Sequence, residues 1–244
     1  MFRAAASIAM LACVLGLTLV ALPKAAFALS GHITNISGAV VARGSDGASR
    51  LLSIRSEVSE GDLLVTADNS YARVRFTDGS EVVLRPGSQI KIDAYRFEER
   101  NPDNDGFFVS LLRGGMRCVT GLLARRNPGR ASYTTPTATI GIRGTHFGAL
   151  LCNNDCANVP SPTGGPPADG LHVDVADGRI VVTTPAGAQE FSVGQFGFVA
   201  SPAVIPVLVP AGQGIRATLP PQAIIARIGG GGVGRAGELE CVIR

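Results

Sequence analysis

Three histidines, five cysteines and scattered carboxylates are the groups in this 244-residue chain that could do chemistry. Histidine comes first, because its ordinary pKa near 6.5 suits acid–base work and metal binding at neutral pH. His172 and Asp174 alternate with Val173 and Val175, so a strand would present both on one face. Such a pair could hold a metal or orient a base. The competing expectation is a solvent-facing polar stripe. His146 stands in Arg143-Gly144-Thr145-His146-Phe147, after a tight glycine turn, and His32 lies near the start of the exported part. No HExxH, Gly-x-Ser-x-Gly or paired-carboxylate arrangement accompanies them. Gly229–Gly234 lacks the lysine and the strand-before-helix setting of a phosphate cradle. Asp103 and Asp105 alternate as in a calcium loop, but the closing glutamate is missing, which favours an exposed turn. The expectation is a non-catalytic chain without resident cofactor or metal. An enzyme using His172/Asp174 or His146 is the alternative.

The cysteines read through their compartment. Arg3 precedes an apolar run from Ala4 to Leu22, interrupted by Ser7 and Thr18, and Pro23 and Lys24 end it. Ala26-Phe27-Ala28 follows with small residues where a signal peptidase reads, so residues 1–28 are expected to be a signal peptide cleaved after Ala28. A retained anchor, or a lipoprotein signal ending at Cys13, fits less well. Export leaves Cys118, Cys152, Cys156 and Cys241, an even count in an oxidising compartment. Cys152 and Cys156 enclose Asn153-Asn154-Asp155, a loop a bridge could close, and Cys118 with Cys241 would be the other pair. Sequence alone leaves three pairings open. Zinc is disfavoured, since two CxxC-type pairs are absent and no histidine lies near Cys152.

Charge narrows the partners. The chain has 22 Lys+Arg and 19 Asp+Glu. Loss of Arg3 and Lys24 with the signal leaves it almost neutral, so no long-range field draws it to nucleic acid or anionic membrane. No stable membrane insertion is expected after cleavage, and the location is periplasmic or secreted.

These groups need elements to position them. Ala72, Val74 and Phe76 alternate with Tyr71, Arg73 and Arg75, Asp78-Gly79 is a hairpin signal, and Gln89–Asp93 alternates again. Similar short runs recur every eight to twelve residues between Gly, Asp and Pro, the spacing of an all-β sandwich, barrel or β-solenoid. No convincing amphipathic helix falls between residues 31 and 200. Phe107–Leu112 reads as a strand that Arg113-Gly114-Gly115 breaks, and Ala124–Arg130 as a basic, solvated surface turn. A β domain is expected over 29–200, with a Pro/Gly-rich loop at 153–169. Residues 201–244, punctuated by Pro202, Pro206, Pro210, Pro220 and Pro221, read as a tail that packs only in part.

An ordered set of pieces then carries a resemblance. It runs through Gly38-Ala39-Val40, Glu60-Gly61-Asp62 and Ala72 to Asp78-Gly79-Ser80. It continues with Val82–Ser88, Leu112-Arg113-Gly114-Gly115 and Thr135-Pro136-Thr137-Ala138, and closes with Arg143-Gly144-Thr145 and Phe147. Over about residues 38–150 the chain resembles the FecR domain, the extracytoplasmic domain of iron-uptake signal transducers that regulate sigma factors. The resemblance implies an all-β fold, a β-solenoid or a sandwich-like body. Relatives that signal across the inner membrane carry a cytoplasmic sigma-binding segment and one transmembrane helix, whereas only Met1-Phe2-Arg3 precedes the apolar run here. The expected function is therefore an exported, non-catalytic binding or scaffold module. Its partner would be another envelope protein, met at a strand edge or at the 153–169 loop. The alternative is an accessory regulator of sigma-factor or iron-uptake signalling.

Overall fold

The computed structural model describes residues 29–217, so the expected signal peptide, its cleavage point at Ala28, Cys241 and the rest of 218–244 lie outside the described residues. The described chain is all-β. In order its strands are β1 (Leu29–Ser37), β2 (Val40–Arg43), β3 (Ser49–Leu51), β4 (Glu57–Ser59), β5 (Leu63–Thr66), β6 (Tyr71–Phe76), β7 (Glu81–Leu84), β8 (Gln89–Arg96) and β9 (Gly106–Val119). After one short helix, α1 (Leu122–Arg126), come β10 (Ala131–Thr134), β11 (Thr139–Ile142), β12 (His146–Cys152), β13 (Gly170–Asp177), β14 (Arg179–Thr184), β15 (Gly187–Ser192), β16 (Phe196–Val199) and β17 (Val207–Val209).

Two layers share one strand. The first runs β4-β1-β6-β7-β9-β12-β13-β16-β17. The second runs β3-β2-β5-β8-β9-β10-β11-β14-β15. Every pairing is antiparallel except β9–β10, and the successive hairpins β10–β11, β12–β13, β14–β15 and β16–β17 fall in alternate layers. The all-β expectation is met.

The glycines after Leu112 do not end the strand, contrary to the sequence reading. The first half of β9 pairs with β8 and β10, and the second half with β7 and β12. Gly114, at φ +72°, bends the strand from one layer into the other. A Cβ there would lie 2.8 Å from Ser88 Cα and 2.9 Å from Gly87 O. Only glycine combines that φ with that approach. The alternation seen in sequence holds on β6, where Ala72, Val74 and Phe76 are buried in a core fed by both layers. An aromatic series crosses that core from Phe76 through Tyr95, Phe107 and Tyr133 to Phe147, with neighbouring centroids 4.7–5.8 Å apart. With no tryptophan in the chain, these rings supply the largest apolar surfaces.

Two polar segments read as solvated pack together. Asp105 is wholly buried, while Asp103 is exposed. Arg126 grips both Asp105 oxygens at 2.7 and 2.8 Å and the carbonyls of Glu98 and Glu99, and stacks over Phe97. The expected exposed turn and basic surface turn hold at Asp103, Arg125 and Arg130, which are exposed, and are corrected at Asp105 and Arg126: a buried carboxylate needs a partner, and a bidentate arginine provides it.

Candidate functional site

The turn between β6 and β7 is built as its sequence requires. Gly79 takes φ +83°, and the Asp78 carboxylate accepts Ser80 N–H at 3.0 Å, a side-chain-closed turn. Asp78 is buried and also accepts Ser80 Oγ at 2.7 Å, the Tyr95 hydroxyl at 3.2 Å and Leu123 N–H at 3.3 Å. Its own N–H donates to the Tyr95 hydroxyl at 2.8 Å, and its carbonyl accepts Leu122 N–H at 2.9 Å. Ser80 Oγ accepts Gly121 N–H at 2.8 Å. Asp78, Gly79 and Ser80 therefore form a hub that joins the hairpin, β8 and the start of α1. Gly121 has to lack a side chain, since a Cβ would sit 2.3 Å from Ser80 N.

The second motif lies on the approach to β12. Gly144 adopts φ +63°, and Gly178 packs against it so closely that a Cβ would meet Gly144 O at 2.2 Å. Thr145 N–H donates to Thr120 Oγ1 at 2.7 Å, and Thr120 N–H to Thr145 O at 2.9 Å. Phe147 is fully buried in the aromatic series, and Arg143 is exposed. Thr145 and Phe147 tie β12 to the end of β9, Gly144 packs against Gly178, and Arg143 faces solvent.

The histidines and Asp174 come together differently from the sequence expectation. His172 and Asp174 do share the outer face of β13, but both are buried, so the stripe does not face solvent. His172 Nε2 lies 2.8 Å from Ala168 O, its ring stacks on Phe198 with centroids 4.7 Å apart, and burial lowers its pKa. Asp174 instead pairs with Arg117 of β9, 2.9 Å away. The same arginine donates from Nε to His146 Nε2 at 2.8 Å. Burial, helped by the neighbouring Arg117 charge, pushes the His146 pKa down to about 4. The imidazole is thus neutral at pH 7, with the lone pair of Nε2 already used. The cluster also grips main chain: Asp174 Oδ1 accepts Ala217 N–H at 2.9 Å, and Arg117 Nη1 donates to Ala217 O at 3.1 Å. Its chemistry is that of a peptide clamp. Among the described residues, no group of three or more His, Cys, Asp or Glu could hold a metal ion.

Arg117 was not singled out in the sequence. The available signal was a charge amid the buried neighbours Met116 and Cys118, matched by Asp174 between Val173 and Val175. Opposite charges that interrupt two buried strands are candidates for each other. Cys152 and Cys156 are joined by a disulfide at the base of the 153–169 loop. Cys118 is buried without a disulfide among the described residues. Its thiol lies 2.6 Å from the Tyr133 hydroxyl, and burial pushes its pKa up to about 12. Its expected partner Cys241 lies outside the described residues.

The chain is similar to known proteins over part of its length. The FecR protein family model matches residues 62–160, starting later than the span read from sequence. Two crystal structures of a candidate anti-sigma factor from Parabacteroides distasonis are similar at 15% identity and a TM-score of 0.44, over 60% of this chain and 58% of that one. The chain therefore spans little more than half the length of that protein. A structure described as a cell surface anchoring domain is 25% identical over 26% of this chain and 83% of its own, with a TM-score of 0.25. No curated protein matches the chain. The matched span holds the Asp78-Gly79-Ser80 hub, the Gly114 bend and the Gly144-Thr145 junction, and over residues 62–160 this chain matches the FecR protein family.

Proposed function

We propose that the chain is an extracytoplasmic regulator in sigma-factor signalling, and that it acts by contact with another protein. The FecR domain at 62–160 is the observation that carries this reading, because the family's domain is the extracytoplasmic part of transducers that regulate sigma factors. It favours the regulatory alternative over the plain scaffold. The chemistry of the site supports contact over catalysis. His146 and His172 are engaged with Arg117 and with Ala168, and Asp174 is spent on an ion pair and a main-chain amide. Among the described residues no helix is long and apolar enough to cross a membrane. With a cleaved signal peptide the protein would work in the periplasm or be secreted, and reach a signalling partner in the envelope.

A photo-crosslinking residue placed at exposed Leu208, introduced into the chain in its own host, tests the reading. Capture of a membrane transducer or another sigma-regulating protein is expected. Crosslinks distributed over abundant envelope proteins, and equal to those from a buried control site at Val173, would contradict it.

A further inference from the structure

The segment after β17 turns at Pro210 and crosses back over the outer face of β16, β13 and β12. No residue of 211–217 belongs to a strand, yet Gly214, Ile215 and Ala217 are buried, with Arg216 exposed between them. Ile215 enters an apolar pocket formed by Leu150, Cys152 and Cys156, with Val159 packed against it. The Arg216 guanidinium lies 5.2 Å over the Phe196 ring. Both main-chain groups of Ala217 are held by the buried Arg117–Asp174 pair. Two glycines make the fit: a Cβ on Gly214 would come within 2.1 Å of the Phe196 ring, and one on Gly148 within 2.6 Å of Ala217 Cβ.

A side-chain pocket for an aliphatic residue, followed two residues later by a clamp on main-chain N–H and C=O, is how proteins hold an extended peptide. β17 is part of the sheet because it pairs with β16 through the backbone. Among the described residues, the contacts that hold the strap come from side chains of the body, which a foreign segment would meet equally. Arg117 and Asp174 also bind each other directly at 2.9 Å, so the clamp is organised by the body itself.

We propose that this groove is a docking site for an extended segment of a protein partner, and that residues 214–217 fill it in cis as a displaceable strap. The segment it fits carries an aliphatic residue, then a basic one, then a small one. The inference rests on the reading of the chain as a protein-binding regulator, but it is tested apart from signalling. An amidated, fluorescent peptide with the sequence of residues 210–217 is titrated into the full chain and into its Ile215→Asp variant, whose strap cannot fill the pocket. The peptide should bind the variant at least about ten-fold more tightly than the parent, the margin expected when an intramolecular competitor is removed. Saturating peptide should also raise hydrogen exchange at the Ala217 amide of the parent chain. Exchange at Ala217 that saturating peptide leaves unmoved overturns the proposal whatever the affinities, and this readout stands even if the variant fails to fold. Equal affinities for the two folded chains overturn it too. So does a mass that doubles with concentration without peptide, which would assign the groove to a second copy's strap. A signalling phenotype without peptide binding removes only this inference; peptide binding without a phenotype removes only the regulatory reading.

Discussion

Asp78 shows how much one residue of the β6–β7 turn holds. Its carboxylate serves four donors in a buried setting, so truncation leaves Ser80, Tyr95 and Leu123 with unmatched groups. Asp78→Ala should cost about 2–4 kcal/mol, read as a lower urea midpoint at unchanged m value. A loss below about 0.5 kcal/mol would mean the hub is not structural. His146 makes a pH-dependent contribution whose sign follows from its lowered pKa. In the unfolded chain a histidine titrates near 6.5, and in the folded chain His146 does so at about 4. Between those values the unfolded state binds the extra proton, so stability is fully present above about pH 6.5 and falls as pH drops toward 4. The partly exposed ring keeps this effect below about 3 kcal/mol. His146→Gln, which can still accept from Arg117, should lose less stability than the parent between pH 7 and pH 5. Equal losses in paired urea titrations would contradict the assignment.

At the scale of elements, β9 decides the architecture, because both layers meet on it. Gly114→Ala forces a Cβ into Ser88 and Gly87 at a positive φ, and should cost about 2–4 kcal/mol. Gly129→Ala, where a Cβ meets nothing within 4 Å, should stay within about 0.5 kcal/mol. Thermal or urea unfolding of the two variants checks the contrast, and similar losses would remove the bend from the account. This element also marks what the sequence conveyed. The alternation of Ala72, Val74 and Phe76 and the Asp78-Gly79 turn were legible, since both are local signals of period and backbone freedom. The continuity of β9 was not. A double glycine signals a break equally in a strand that stops and in one that bends between layers, and only the partners on either side distinguish the two. Likewise the acidic 98–106 and basic 124–130 segments each read as solvated, because their pairing through Asp105 and Arg126 spans 21 residues.

At the scale of the molecule, the clamp joins residues that no local pattern could connect. Arg117 is 57 positions from Asp174 and 100 from Ala217. The sequence offered His172 and Asp174 as a pair because they alternate on one strand, and the fold gave each a different partner. The proline-rich segment from residue 201 read as a tail that packs only in part, since prolines disfavour both helix and central strand. Among the described residues that part includes β17, which extends the first layer with Pro206 and Pro210 at its ends, and the strap that returns over the face beside it. On the reading proposed above, recognition falls to what surrounds the shared core: the exposed Val207 and Leu208 edge, the disulfide-based loop and the strapped groove. A regulatory role places the output in transcription. The most direct measurement is a transcript profile of the host with the gene deleted, against the same strain complemented with the intact chain. The account predicts that transcripts of one sigma-factor regulon change on deletion and return on complementation. Profiles that remain the same in all strains, under conditions where the protein is made, would contradict it.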